Sequence, residues 1–431
     1  MFGEGLNCSG SLTYNVVKLH IGCKVDNMND IDKTVKQELG ADGSYSGVEE
    51  EVFTPYPFDT GKISISNRKI SLSNIIRRWD RDLIHAASIQ RRENLWDIGR
   101  KSRLIESIML KIPLPLFYAA ETKNDHLFIV DGLQRLSAIK GFVLEKKYKL
   151  ESLEFLRELN GMNFDEIPDQ MQIRINETEL DFAVIGSDSP PEVQRNIFKR
   201  LNTGGLPLTD QEIRNALYFG PVTELLEKLV ETDAFKTAVD NSVNDSRMAA
   251  QELVLRFFAF MIFNINEYKK DDEMDSFLCD TMHIINKSLN QDLFAGYDNT
   301  ISGNRIAAHC FDKNLEQKFL ISMERASRLF LNCAFRITTP AKKALGKQRS
   351  PINKSLFELW SVLLAEMDEN DFKILEKNKV QLYQHLDTEF ENNNSLLRNH
   401  IGKDSLKVTG VKGRYEIINR IIRNTLKEGD K

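Results

Sequence analysis

The chain has 431 residues, of which 41% are hydrophobic and 28% are charged, as in a folded globular protein with one large core or two ordinary ones. The formal net charge is −5, so overall charge gives no argument for nucleic-acid binding, and any such surface must be local. The N-terminus has no signal-peptide pattern, no apolar stretch is long enough to cross a bilayer, and the five cysteines form no CxxC pair. We therefore expect a reduced, cytoplasmic protein with no membrane span and no structural zinc.

The first part of the chain divides into an acidic segment and the start of a compact domain. Residues 1–60 are acidic and rich in turn residues, and we expect mostly a loose arm. The compact domain is predicted to begin with an alternating strand at 62–66 and an amphipathic helix at 71–80. Gln90 and Arg91 follow, ahead of another predicted helix.

The most informative stretch is a strand that ends at Asp131-Gly132. Residues 127–130 form an unbroken apolar run, which is typical of a strand buried on both faces, and 116–119 form the other strand of a predicted hairpin. Apolar residues then recur at helical spacing, so a helix is predicted to begin at about Gly132. Such a strand-to-helix turn gathers backbone N–H groups, which favours a phosphate. Gly132 permits close approach of a ligand, and Arg135 lies one helical turn away.

These residues also have a purely structural interpretation. Asp131 is a good N-cap residue, and Gln134 three positions later completes a pattern that resembles a capping box. Arg135 stands four residues after Asp131, at the spacing of a helical salt bridge. Local chemistry alone favours this interpretation over a ligand site.

A second informative stretch precedes another helix. Thr209 and Glu212 have the spacing of a capping box, which predicts a helix that begins at Thr209. Gly204-Gly205, just before it, can form an anion-binding concavity of backbone N–H groups, and a plain helix–helix turn is the alternative. From about residue 222 onward the periodicity is helical.

Both stretches resemble one family, in the same order. Val-Asp-Gly-Leu-Gln-Arg-Leu at 130–136 is similar to the Asp-Gly-Gln-Gln-Arg signature of the N-terminal domain of GmrSD-type restriction enzymes, with Leu133 in place of the first Gln. Arg-Leu-Asn-Thr-Gly-Gly at 200–205, with Glu-Ile-Arg-Asn at 212–215, resembles its second signature. Residues 89–96 resemble its Phe-Gln-Arg … Trp element, with Ile in place of Phe.

The resemblance implies a fold and a domain organisation. It covers about residues 60–260 well and implies an α+β fold, with a ParB/sulfiredoxin-like small mixed sheet and helices, followed by an all-α C-terminal domain. We predict an acidic N-terminal arm at 1–60, a GmrSD N-terminal-type domain at 61–220 and a helical domain at 221–431.

The resemblance also implies nucleotide binding and NTP hydrolysis in a DNA-associated restriction or phage-defence role. Phosphoryl transfer needs charge neutralisation and a positioned water. The predicted catalytic residues are Asp131, Gln134 and Arg135, and Asp131 would hold Mg²⁺ or activate water. The expected partners are an NTP, DNA bound through local basic patches, and a separate nuclease subunit. The predicted nucleotide-binding residues are Gln90, Arg91, Gly132, Arg200, Asn202, Thr203, Gly204 and Gly205.

Two other functions remain open. A non-catalytic nucleotide- or DNA-binding regulatory module is the main alternative, because Leu133 departs from the signature. A DNA nickase is the second, and Asp131, Glu145 and Lys147 have the spacing of an Asp … Glu-x-Lys nuclease. That nuclease core places all three residues on a hairpin, whereas here a helix is predicted after Asp131. His400 lacks the acidic neighbour and the Pro of a His-centred nuclease domain, and we interpret it as a helix-end histidine.

Basic residues concentrate in two places near the C-terminus. Clustered Lys and Arg bind phosphates without sequence preference, and a solvated face that balances the acidic arm is an equally good interpretation. The two clusters comprise Lys342, Lys343, Lys347, Arg349 and Lys354, and then Arg398, Lys403, Lys407, Lys412, Arg414, Arg420 and Arg423.

Overall fold

A computed structural model of the protein describes residues 36–39, 45–50, 64–81, 83–86, 96–121, 126–186, 189, 194, 197, 209–269, 274–289, 309–392 and 395–429. Two strands lie within the predicted acidic arm. They are β1 (Lys36–Leu39) and β2 (Tyr45–Glu50), and they pair antiparallel. The domain boundaries themselves stay a prediction.

A mixed sheet of five strands organises the part of the chain that resembles the family. The strands are β3 (Ile65–Ser71), β4 (Ile84–Ala86), β5 (Phe117–Glu121), β6 (Leu127–Asp131) and β7 (Glu179–Ile185). Their order is β3-β7-β5-β6-β4. β5 pairs antiparallel with β6, as the predicted hairpin requires, and β3 pairs antiparallel with β7. β7 runs parallel to β5, and β4 runs parallel to β6.

Helices flank this sheet, and side-chain caps fix where several of them begin. They are α1 (Leu72–Asp80), α2 (Ile98–Met109), α3 (Leu133–Val143), α4 (Asp169–Glu177) and α5 (Asp210–Leu217). Ser71 caps α1 and Asp97 caps α2. The predicted capping box at α5 is confirmed, because the Thr209 N–H donates to Glu212 at 2.7 Å and the Glu212 N–H donates to Thr209 Oγ1 at 3.2 Å.

The alternation of side chains along β6 divides its residues between two cores. Leu127 and Ile129 pack into the cluster that contains apolar residues of α1–α4. Phe128 and Val130 point to the opposite face, where they meet Ile213 of α5 and its neighbours. Both faces of the strand are therefore buried, as its unbroken apolar sequence predicted.

The remainder of the described chain is helical and forms its own large core. Residues 45–50 contribute to that core, because Val48 is buried in it and forms a parallel bridge with Ile352. The Glu49 N–H donates to the Ile352 carbonyl at 2.8 Å. The helices are α6 (Pro221–Val230), α7 (Asp233–Ala238), α8 (Ala249–Phe263), α9 (Met274–Leu289), α10 (Asn314–Phe330), α11 (Pro340–Ala344), α12 (Lys354–Glu366), α13 (Glu369–Lys377), α14 (Lys379–Glu391), α15 (Leu396–Ile401) and α16 (Val408–Gly429).

A chain of buried ion pairs joins α5 to the helical region. Arg214 of α5 contacts Glu252 of α8 at 3.5 Å, and Arg256 donates to Glu252 and to Glu358 of α12, both at 3.0 Å. Glu358 also pairs with Arg414 of α16. Burial acts to raise the pKa of Glu252, but the neighbouring cations, Lys354 first among them, hold it well below its usual range, so the carboxylate stays charged.

These observations confirm the predicted α+β class, with a small mixed sheet and helices followed by a helical C-terminal region. Among the residues described, no helix combines the length and the apolar character needed to span a bilayer.

Candidate functional site

The turn between β6 and α3 has a different cap from the one predicted. Gly132, not Asp131, is the N-cap of α3, and it has a left-handed backbone with φ of 96°. No side chain caps this helix start, so the predicted capping-box pair of Asp131 and Gln134 is wrong. The physical reason is that the glycine itself reverses the chain from strand to helix, and the Asp131 carboxylate turns to Arg135 instead.

Arg135 is tied to the segment that leads into β5. One guanidinium nitrogen, Nη1, donates to the Pro115 carbonyl, while Nη2 donates to the Leu116 carbonyl and to Asp131, both at 3.1 Å. Its guanidinium lies 4.2 Å from the centre of the Phe117 ring. Burial lowers the pKa of Arg135, and Asp131 opposes that effect. The side chain is only 12% exposed, so Arg135 fixes the turn and holds Asp131 in place.

Close packing explains why a glycine occupies position 132. A Cβ added to Gly132 would lie 2.3 Å from Cδ1 of Phe117, which is closer than real contacts allow. Phe117 is fully buried, so its ring has little room to move. Sequence reasoning missed Phe117 as a part of this turn, because the contact arises from strand pairing between distant positions and not from local spacing.

Asp131 presents a carboxylate at the C-terminal end of β6. Its side chain is 45% exposed although Oδ2 accepts a bond from Arg135. Within the described ranges no group of three or more His, Cys, Asp or Glu side chains could hold a metal. An ion here would therefore take one protein carboxylate and complete its shell with water or phosphate oxygens, which is the manner in which Mg²⁺ commonly binds. The residues present fit that arrangement.

The two remaining signature positions differ in surroundings. Leu133 is partly buried and packs against the core on the α1–α4 side of the sheet. The residue that departs from the family signature therefore fills apolar space. Gln134, one position later, is half-buried in the first turn of α3.

Several predicted site residues lie outside the described part of the chain. Their positions stay predictions. β4 runs parallel to β6, with Ala86 opposite Ile129, so the chain leaves β4 at the same edge of the sheet as Asp131. The predicted site residues outside the described part of the chain are Gln90, Arg91, Arg200, Asn202, Thr203, Gly204 and Gly205.

The Arg-Asn pair of the second signature is buried away from solvent. Arg214 is 1% exposed and pairs with Asp275 and Glu252. Asn215 accepts a bond from Gln211 and donates one to Gln251, each at 2.7 Å. These signature residues thus join α5 to the helical region, a role that no local pattern in the sequence revealed.

The nuclease alternatives find little support in the geometry. Asp131 and Glu145 are separated by α3, whose 11 residues span about 16 Å, and Glu145 pairs with Lys140 and Lys147. His400 lies near the end of α15 as predicted, and burial, followed by the charge of Arg414, lowers its pKa. A Cβ on Gly413 would lie 2.4 Å from the His400 ring, so this histidine is packed against α16.

The comparisons with known proteins identify one domain. Residues 72–219 match the family model described as GmrSD restriction endonuclease, N-terminal domain. The match covers all elements from α1 to α5 and includes both signatures. No curated protein and no solved structure matches the chain.

Proposed function

Residues 72–219 match the GmrSD restriction endonuclease N-terminal domain, and from this premise we propose that the chain binds a nucleoside triphosphate at the start of α3 and hydrolyses it. We further propose that it does so in association with DNA, in a restriction-type defence role with a separate nuclease subunit as partner. The observation that carries the proposal is the half-exposed Asp131 carboxylate at an uncapped helix start. Backbone N–H groups and the helix dipole at such a point favour an anion such as phosphate.

Each residue of the turn has a proposed task. Asp131 would hold Mg²⁺, which neutralises phosphate charge when bound, or would accept a proton from the attacking water. Gln134 would orient that water. Gly132, with its left-handed backbone, turns the chain from β6 into α3 and would thereby direct the first N–H groups of the helix toward the phosphate. Arg135 holds Asp131 at its position, since its own donors are already directed to Pro115, Leu116 and Asp131.

The positive charge that phosphoryl transfer requires would then come from elsewhere in the domain. Arg91 follows β4, which ends at the same edge of the sheet as Asp131, and Arg200 belongs to the second signature. We propose these two arginines as the phosphate ligands. Gln90 and the 202–205 loop would complete the binding surface.

A non-catalytic nucleotide-binding module is the second candidate. The observation in its favour is that Leu133 packs into the core where the family signature has a polar Gln. A ligand contact made by that Gln is then missing from this chain. Such a module would bind nucleotide and change its DNA association without turnover.

Phosphate release by the full chain decides between these functions. We expect Mg²⁺-dependent release from at least one of ATP, GTP, CTP and UTP, tested with and without duplex DNA. Asp131→Asn should lower the rate about 100-fold or more, because the variant loses the charge that holds the ion or accepts the proton. The matched control is Asp165→Asn, which alters an exposed carboxylate outside the turn.

The outcomes separate the candidates cleanly. Nucleotide binding without release supports the non-catalytic module. If the chain neither binds nor hydrolyses any of the four nucleotides, both candidate functions are excluded. Equal release by the Asp131→Asn protein and the parent would remove Asp131 from the mechanism.

A further inference from the structure

The exposed side of the last helix carries a stripe of cations. Lys412, Arg420, Arg423 and Lys427 follow one another at helical spacing along α16, with Glu416 between the first two. The opposite side of α16 is buried in the helical core through residues such as Ile418. The packing of α16 thus directs the basic residues outward.

These cations line a groove. The groove lies between α16 and the turn at Ile265–Glu267, and its volume is about 450 Å³. Side chains of three asparagines contribute further hydrogen-bonding groups: Asn266, Asn419 and Asn424. With four cations and one carboxylate, this surface is locally positive on a chain whose formal net charge is −5.

The pairing of charges separates this groove from four of the other basic positions. Lys342 pairs with Glu391, and Arg349 pairs with Asp240. Lys354 is buried against Glu252, and Arg414 is buried against Glu358. The charges at these four positions are neutralised within the protein, so no external anion is needed to explain them.

The groove cations are different. Among the residues that the structure covers, Lys412, Arg423 and Lys427 make no ion pair, and Arg420 reaches only Glu389, at 3.4 Å. Three unpaired cations and one loosely paired cation on the same helix face therefore remain available to an external anion. Because the four cations lie on one helix, their backbone is already ordered, and binding needs to order only their side chains.

We propose that this groove binds the phosphate backbone of double-stranded DNA. The inference rests on the proposed function for the choice of DNA as the polyanion. The stripe from Lys412 to Lys427 is about 22 Å long, at 1.5 Å per residue of helix. Duplex DNA carries about a dozen charges over that length, at one per 1.7 Å of axis, so one duplex can meet all four cations at once.

The test compares two charge-reversed proteins with the parent. The groove variant is Arg423→Glu/Lys427→Glu. The control is Lys313→Glu/Lys318→Glu, which makes the same change of charge at two exposed lysines at the start of α10. The measurement is fluorescence anisotropy of a labelled 30-base-pair duplex across a series of salt concentrations.

We expect the groove variant to lose about tenfold or more in affinity, and its log–log salt slope to become shallower by about two, because two phosphate contacts are removed. The control should stay within about threefold of the parent. Melting temperature and nucleotide hydrolysis without DNA should match the parent in both variants, which separates DNA binding from folding and from the nucleotide site.

Four outcomes would overturn the inference. Equal loss in both variants would mean that overall charge, and not the groove, governs binding. Unchanged affinity of the groove variant would place the DNA surface elsewhere. Binding of a labelled polyglutamate peptide in place of the duplex would assign the groove to an acidic protein segment. A parent that hydrolyses nucleotide but binds no duplex would remove the DNA association while leaving the nucleotide function intact.

Discussion

Gly132 and Arg135 act on the same aromatic ring. Gly132 leaves the space that the edge of Phe117 occupies, and Arg135 covers the ring face at 4.2 Å. Both residues thereby fix where Asp131 lies at the end of β6. The structural and the ligand-binding interpretations of the signature are therefore compatible. Gly132 and Arg135 are packed against Phe117, and they hold the exposed Asp131 carboxylate in position.

The first prediction concerns the packing at Gly132. Gly132→Ala should lower the free energy of unfolding by about 2–4 kcal/mol, because the new Cβ meets Phe117 and the positive φ is strained. Gly161→Ala is the matched control, since Gly161 also has a positive φ, of 86°, but nothing lies within 4 Å of its added Cβ. It should lose only about 1 kcal/mol. Urea denaturation of both variants measures the difference, and equal losses would contradict a steric role of Phe117.

At the scale of elements, periodicity and capping patterns were sufficient to predict most of the domain. The hairpin of β5 and β6, the buried character of β6 and the capping box of α5 follow from local sequence and are confirmed. The position of β7 between β3 and β5 does not follow from local sequence, because strands far apart in the chain pair through tertiary packing. For the same reason the partners of Arg135 in the segment before β5, Pro115 and Leu116, were not predictable.

The second prediction concerns how α2 holds the segment that follows α3. The buried Glu106 carboxylate accepts the backbone N–H groups of Glu154, Phe155 and Leu156, at 3.1, 2.7 and 2.8 Å. Burial acts to raise the pKa of Glu106, but these N–H groups lower it, and the net direction is below its ordinary value. Glu106→Gln should lower the free energy of unfolding at neutral pH by about 1–3 kcal/mol, since one amide oxygen replaces a carboxylate.

The sign of the pH dependence follows from the lowered pKa of Glu106. A carboxyl whose pKa is lower in the folded state stabilises the protein above its unfolded pKa of about 4.3, and this stability disappears as pH falls through the folded value. The difference in unfolding free energy between the parent and Glu106→Gln should therefore shrink below about pH 4.3. Glu158→Gln, at an exposed position nearby, is the control. A difference that stays constant down to pH 3 would contradict the assignment.

At the scale of the whole described chain, a buried series of ion pairs links the segment that matches the family model to the helical region. It runs from Arg214 through Glu252, Arg256 and Glu358 to Arg414 of α16. The helix α5, which contains the Arg-Asn pair of the second signature, and α16, which carries the basic stripe, are thus parts of one polar network. Sequence patterns indicated helices here but could not pair charges separated by as many as 102 positions.

The third prediction tests this network. Glu358→Gln should lower the free energy of unfolding by about 3–5 kcal/mol, because it leaves Arg256 and Arg414 buried without their shared carboxylate. Glu376→Gln removes an ion pair with Arg328 at the surface and should cost only about 0–1 kcal/mol. Calorimetric unfolding of the two variants makes the comparison. Losses of similar size would show that the buried pairs contribute no more than surface ones.

Hydrogen–deuterium exchange tests most directly whether the start of α3 is the nucleotide site. Backbone amides of the full chain would be followed with and without a non-hydrolysable NTP and Mg²⁺, in the parent and in Asp131→Asn. We expect the peptide covering 131–136 to become protected in the parent, because phosphate oxygens would accept from the first-turn N–H groups, and to gain much less protection in the variant. Protection confined to other segments, with 131–136 unchanged on saturation with nucleotide, would contradict the assignment.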